Sequence, residues 1–195
     1  MSEVLPGVWR SEALHPEWTE DEGGEEGWEQ LVAWFAVRSS RGLVLIDPLV
    51  DDWPTVDRLV SENGGCAGIV RTIHWHERSV DAASRRYDAE VSASPGLKDG
   101  DEIFGGMRVT EMERDDEIAL WLAEQNALLF ADAMLRRPSG ELRMCPESWR
   151  QPEGGRARLC EILRGLTELP VKHVLVAHGP LVLGDGAAAL RSALG

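Results

Sequence analysis

His74 and His76 stand one residue apart in the string His74-Trp75-His76, directly after the apolar run Gly68 to Ile73. If the backbone stays extended past that run, alternation with period two turns both imidazoles to one side, as in a metal chelate. Two further ligand-type residues sit in comparable places. Asp132 follows the apolar stretch Ala127 to Phe130 in LLFADAM, and His178 follows Val171 to Ala177 in VLVAHGP. Strand ends along one rim are where α/β folds gather their sites, so these positions are candidates for one centre. A histidine pair alone is more often a polar surface loop than a ligand pair; the agreement of three segments is what favours a site.

The elements that must position these residues can be read from periodicity and punctuation. Strands are expected at Val4 to Trp9, Leu31 to Val37 and Leu43 to Ile46, the last two joined by a hairpin at Ser39 to Gly42. Asp47-Pro48 stops the third strand. Trp53 to Glu62 has a helical apolar rhythm, with Asp52 placed to cap it and Asn63-Gly64-Gly65 to end it. The strand Gly68 to Ile73, a helix over Ser79 to Tyr87 and a short strand at Ala89 to Ser92 complete the order βββαβαβ. The second half opens with a turn at Lys98-Asp99-Gly100-Asp101. Strands at Met107 to Met112, Glu117 to Leu122 and Ala127 to Phe130 imply an antiparallel sheet, and a loop spans Pro138 to Pro152. Arg156 to Leu169 has helical spacing, Val171 to Ala177 is a buried strand, and a final helix runs from about Gly186 to Leu194. Each half repeats one plan without repeating a sequence, which suits two sheets between outer helices in a single domain over 1–195.

Composition bounds the function. The chain has 195 residues and a formal net charge of -14, from 34 acidic against 20 basic residues. Such a balance repels phosphate backbones and anionic membranes at long range, so nucleic acid and membrane partners are not expected. Glu17 to Glu29 packs seven carboxylates, three glycines and two tryptophans into thirteen residues, the make-up of a solvated loop. Trp18 and Trp28 have little packing use there and are the tryptophans most available to a ligand. Cys66, Cys145 and Cys160 show no CxxC pair, no stretch reaches the length of a membrane span, and the first ten residues lack an apolar signal run. A cytoplasmic setting is expected. His15 and His173 are read as structural.

Six segments, taken in order, resemble the metallo-β-lactamase superfamily over nearly the whole chain. LPGVWR and LVLIDP are similar to its opening strands, and TIHWHERSVDAASRRYDAEV to its HxHxDH loop with the following helix and strand. DGDEIFGGMRV resembles the turn before its second half, LLFADAM its bridging-aspartate strand, and VLVAHGP its last histidine loop. The resemblance implies an α/β fold, the αββα sandwich with two mixed sheets flanked by helices. It also implies metal-ligand roles for His74, His76, Asp132 and His178, and a structural role for Asp47 behind the metal loop.

The departures from the family pattern decide the functional expectation. Where the HxHxDH motif has Asp and His, this chain has Arg78 and Ser79, so a second divalent ion loses two ligands and meets a guanidinium that cannot be deprotonated. The family's middle histidine aligns with Glu113, counting back from Ile118. Two readings follow. In the first, Arg78 pairs with Asp132 or Glu113 and fills the metal position, leaving an eroded, non-catalytic site that binds a small anionic ligand or a protein, with Arg78 and Trp75 as ligand contacts. In the second, His74, His76 and either Glu113 or Asp132 hold one divalent ion, most simply zinc. Its hydroxide would hydrolyse an ester, thioester or amide while Asp132 and His178 assist catalytically. The first reading leads, because metal ligands act as a unit. Cofactor expectations run accordingly from one zinc-type ion to none, and neither oligomeric state nor substrate can be read.

Overall fold

The computed structural model describes all residues except 25–26, 138, 148 and 150–154. Glu25 and Glu26 of the acidic stretch, and much of the second half of the Pro138 to Pro152 loop, therefore lie outside the described residues.

Pro6-Gly7 divides the first strand. Gly7 takes φ +75°, and the expected strand Val4 to Trp9 becomes a hairpin of β1 (Ser2–Leu5) and β2 (Val8–Leu14). β3 (Leu31–Ser39) pairs antiparallel with β2 and with β4 (Gly42–Ile46). α1 (Trp53–Glu62) begins at Asp52, whose carboxylate accepts from Thr55 N at 3.2 Å, and leads to β5 (Cys66–Arg71). α2 (Val80–Tyr87) and β6 (Val91–Ala93) follow, so the first sheet runs β1-β2-β3-β4-β5-β6 with β4, β5 and β6 parallel.

The second half contains β7 (Glu102–Ile103), β8 (Met107–Glu111), β9 (Ile118–Leu122) and β10 (Ala127–Phe130). A hairpin of β11 (Met134–Arg136) and β12 (Leu142–Met144) comes next, followed by α3 (Gly155–Leu166), β13 (His173–Val176), β14 (Val182–Leu183) and α4 (Gly186–Leu194). The second sheet has the order β14-β13-β10-β9-β8-β7, antiparallel through β10-β9-β8 and parallel between β10 and β13. β12 falls inside the span expected as loop, and β11 just before it. Each strand of this hairpin is only three residues long, so it carries too little alternation to be seen in sequence.

Continuous apolar strands are required here because both faces of each sheet are covered. On β3, Ala33, Phe35 and Val37 enter the core between the sheets, while Trp34 and Ala36 pack outward against α1 and α2. On β4, Val44 and Ile46 face inward and Leu43 and Leu45 outward. The second sheet repeats this division. Leu129 and Leu175 enter the central core, and Leu128, Phe130, Val174 and Val176 meet α3 and α4. Burying one such leucine or phenylalanine contributes about 1.5–3 kcal/mol, so three apolar interfaces fix four layers, helix, sheet, sheet, helix.

The parallel pairs have a further consequence. β4 and β5 end at Asp47 and before His74, and β10 and β13 end before Asp132 and His178, so both sheets deliver polar residues to one rim. Among the described residues no helix is long and apolar enough to cross a membrane.

Candidate functional site

Asp47 is the anchor of the first half of the rim. It leaves β4 with φ +47°, and its buried carboxylate accepts from Thr72 N at 2.8 Å and from Thr72 Oγ1, tying the end of β4 to the residue after β5. The same carboxylate receives His76 Nδ1 at 2.9 Å. A carboxylate acceptor requires the proton on Nδ1, which leaves Nε2 of His76 as a lone pair. Burial opposes ionisation of Asp47, but His76, Arg78 and Thr72 together hold its carboxyl below the ordinary range. Asp47 thus has the structural, supporting position expected of it.

Nε2 of His76 is already occupied. Nη2 of Arg78 lies 3.0 Å from it, and because a guanidinium can only donate, the imidazole accepts. Nη1 of Arg78 donates to the carbonyls of Asp47 at 3.2 Å and Ala33 at 3.4 Å. Burial pulls the Arg78 pKa down, and the charges of Asp47 and Asp132 act against that fall. Arg78 itself has φ +35°, and Ser79 N is held by the Pro48 carbonyl at 2.8 Å, so the turn that ends the histidine loop aims the guanidinium back at the rim.

Asp132 is the anchor of the second half. Its Oδ2 accepts from Trp75 Nε1 at 2.8 Å, and its Oδ1 accepts from His178 Nε2 at 3.0 Å and lies 3.6 Å from His76 Nε2. Burial disfavours its charge, yet His76, His178 and Arg114 hold the carboxyl far below the usual carboxylate range. Burial lowers the pKa of His178, with Asp132 opposing, so the ring is neutral near pH 7 with its proton on Nε2. Its buried Nδ1 has no partner among the described residues, and the rings of Trp28 and Trp149 meet it edge-on at 5.2 and 6.1 Å between centroids.

Glu113, expected in the place of the family's middle histidine, is not at this centre. Its backbone takes φ +50°, and its half-exposed carboxylate forms a bidentate pair with Arg158 of α3 at 2.7 and 2.8 Å. The next residue, Arg114, turns inward instead. Arg114 is buried, its Nη1 lies 2.5 Å from Glu117 Oε2, and its guanidinium carbon sits 5.7 Å from the centre of the Trp75 ring. Counting from Ile118 reaches the right turn and the wrong side of it, because left-handed residues at 113, 115 and 116 break any simple alternation.

Glu117 escapes sequence reasoning altogether. It is fully buried, its Oε1 accepts from the backbone N–H groups of Asp132 and Ala133 at 2.8 and 2.7 Å, and burial together with the charge of Asp132 pushes its pKa up to about 7 against the pull of Arg114. A glutamate opening an apolar strand gives no signal of this in sequence.

His76, Asp132 and His178 line a cavity of about 510 Å³, whose walls include Trp28, Trp75, Trp149, His15, His74 and both guanidinium groups. Glu17 and Glu22, both exposed, stand at its edge, so the acidic stretch borders the site. Trp28 is in the wall, as its loop position suggests; Trp18 supports it by donating Nε1 to the Trp28 carbonyl at 3.0 Å. His15, read as structural, also joins the wall, with its ring 5.1 Å from that of Trp28. His173 stays structural, its Nδ1 accepting from Gly184 N at 3.2 Å. His74 lines the cavity and gives Nδ1–H to the Asp115 carbonyl at 3.1 Å.

The donor set does not fit a divalent ion. Among the described residues no three His, Cys, Asp or Glu side chains are placed to share one, and the lone pair of His76 that would bind it is closed by Arg78. A metal there would stand against a fixed positive charge.

No protein-family model matches the chain, and no curated protein matches it in sequence. Solved structures do match in shape. A metallo-β-lactamase from Pontibacter korlensis superposes over 99% of this chain and 97% of its own, with TM-score 0.67 and 16% identity. The mono-zinc form of the metallo-β-lactamase FIM-1 from Pseudomonas aeruginosa covers 99% and 95% at TM-score 0.67 and 16% identity. A metallo-β-lactamase family protein from Thermus thermophilus covers 98% and 78% at TM-score 0.59 and 16% identity. With two mixed sheets between helices, its polar residues at the shared strand ends and these superpositions, the chain has the αββα metallo-β-lactamase fold.

Proposed function

We propose that this chain is a hydrolase-like protein with an eroded metal site, and that its cavity binds a small organic anion without metal-dependent hydrolysis. The observation that carries this reading is the 3.0 Å contact between Arg78 Nη2 and His76 Nε2, which replaces a metal-ligand bond by a hydrogen bond. The hydrolytic alternative needs three ligands with one open coordination position. Glu113 is bound to Arg158 and His76 to Arg78, so that set is not assembled.

What remains is suited to binding. Two guanidinium groups border the cavity, and Nε of Arg78 and Nε of Arg114 are buried with no partner among the described residues. Unsatisfied cationic N–H groups favour a carboxylate or similar oxyanion. Trp28, Trp75 and Trp149 in the walls suit an aromatic body on that anion. Glu17 and Glu22 repel extended polyanions at the edge, in keeping with a compact ligand carrying a single charge.

Tryptophan-fluorescence titration in EDTA tests this, with indole-3-acetate and phenylacetate as probes against their neutral amides. The carboxylates should bind at least about tenfold more tightly than the amides, a difference of roughly 1.4 kcal/mol, and Arg114→Met should erase that difference. Equal binding of acid and amide, or of neither, overturns the reading.

A further inference from the structure

Trp28 and His178 are walls of two cavities, and the smaller, of about 250 Å³, contains neither Arg78 nor Arg114. The β11–β12 hairpin and the glycines of the acidic stretch close its other sides. Among the described lining residues, the three arginines Arg136, Arg137 and Arg143 stand against one carboxylate, the exposed Glu29. In a chain of net charge -14, so local a concentration of guanidinium groups favours an anion. Two of them are held in place. Arg143 Nη2 donates to the Gly27 carbonyl at 3.1 Å, and Arg136 Nε donates to the Gly140 carbonyl at 2.8 Å.

His178 adds a requirement of the opposite kind. Its Nε2–H is given to Asp132 Oδ1 at 3.0 Å, which leaves Nδ1 as a lone pair on the far side of the ring. That nitrogen is buried and has no partner among the described residues, and the residue as a whole is 7% exposed. A buried acceptor left unmet is costly. The arginines offer only donors and Nδ1 only a lone pair, so an occupant that satisfies both is an oxyanion carrying an O–H of its own.

We infer that the smaller cavity is a second anion site, in which Nδ1 of His178 accepts the O–H of a hydrogenphosphate ion while Arg137 and Arg143 hold its charged oxygens. Sulfate and simple carboxylates are acceptors only and would set an oxygen against the imidazole lone pair. Phosphate monoesters lose their second proton near pH 6, so above that pH the inorganic ion is the one that keeps an O–H. The size agrees, since sites for drug-sized ligands begin at about 300 Å³ and this cavity is smaller. The site is independent of which ligand enters the larger cavity. Trp28, whose ring meets that of His178 at 5.2 Å between centroids, stands in the walls of both.

The test is calorimetric titration of the wild type with inorganic phosphate and with sulfate, in EDTA at about pH 8, with the ring nitrogens of His178 followed by long-range proton–nitrogen NMR. Phosphate should bind at least about tenfold more tightly than sulfate, and only phosphate should move the Nδ1 resonance. Arg143→Gln, which keeps an amide donor for the Gly27 carbonyl, and Arg137→Gln should each weaken phosphate binding at least about fivefold. Both should leave indole-3-acetate binding in the larger cavity unchanged. Arg114→Met, which alters the larger cavity, should leave phosphate binding unchanged. His178→Phe should reduce phosphate to the level of sulfate; where that variant does not fold, the wild-type preference and the Nδ1 resonance decide. Equal binding of phosphate and sulfate, binding of neither, an Nδ1 resonance that phosphate does not move, or phosphate binding lost in Arg114→Met and retained in Arg143→Gln overturns the inference.

Discussion

Asp132 Oδ1 lies between two imidazoles, 3.0 Å from His178 Nε2 and 3.6 Å from His76 Nε2, and the carboxylate's other oxygen takes the Trp75 indole N–H at 2.8 Å. One side chain therefore joins the histidine loop of the first sheet to the last histidine of the second. Removing it should leave the Trp75 and His178 N–H groups without their acceptor and take one balancing negative charge from Arg78. Asp132→Ala is expected to lose about 3–5 kcal/mol in chemical unfolding. Asp132→Asn keeps an oxygen acceptor and should lose less.

Gly179 follows His178 with φ +90°, and a Cβ there would stand 1.8 Å from the Arg136 carbonyl oxygen. Its own carbonyl accepts from Arg10 Nη2 at 2.8 Å, so the turn is held on both sides. Gly179→Ala combines backbone strain with a contact that cannot relax. It should cost at least about 3 kcal/mol or prevent folding, as read by the circular dichroism melt.

Glu117 supplies a pH dependence. Its folded pKa of about 7 is above the unfolded value near 4.5, so between those values the folded state binds the extra proton. Its contribution is full below about pH 4.5 and is lost as pH rises through about 7. Glu117→Gln copies the protonated form. The stability of the wild type relative to this variant should accordingly fall between about pH 5 and 8, and the carboxylic acid C=O band of Glu117 should persist in infrared difference spectra at about pH 5.5. The opposite slope would contradict the burial argument. Asp47 and Asp132, with lowered pKa values, act at the other end. Their contribution is present above the unfolded pKa near 4 and is lost as pH falls below it.

Glu113 gives a negative prediction. Its carboxylate is paired with Arg158 at the surface, so Glu113→Gln should leave probe binding in the cavity unchanged. A loss of that binding would return Glu113 to the site.

Much of this arrangement is legible in the sequence, for identifiable reasons. Long apolar runs such as those of β3 and β4 are doubly buried and announce themselves, and Asp52 before Trp53 marks a helix start. His76, Asp132 and His178 follow such runs directly, so their meeting at one rim follows from where the strands end. The turn from Met112 to Glu117 is not legible. Left-handed residues decide there that Arg114 points inward and Glu113 outward, and no period encodes that choice. Glu117 and His15 are hidden for another reason. Their importance arises from partners distant in the chain, the N–H groups of Asp132 and Ala133 in one case and Trp28 in the other.

Whether a guanidinium has taken the place of a metal ion, as proposed, is decided by elemental analysis. Tag-free wild-type protein is incubated with excess zinc, desalted and compared with His74→Ala/His76→Ala treated identically. No zinc should be bound above the level of the double variant, since the Arg78–His76 hydrogen bond closes the site. One equivalent of zinc held by the wild type and lost by the double variant would contradict it, and would return metal-dependent hydrolysis to the lead.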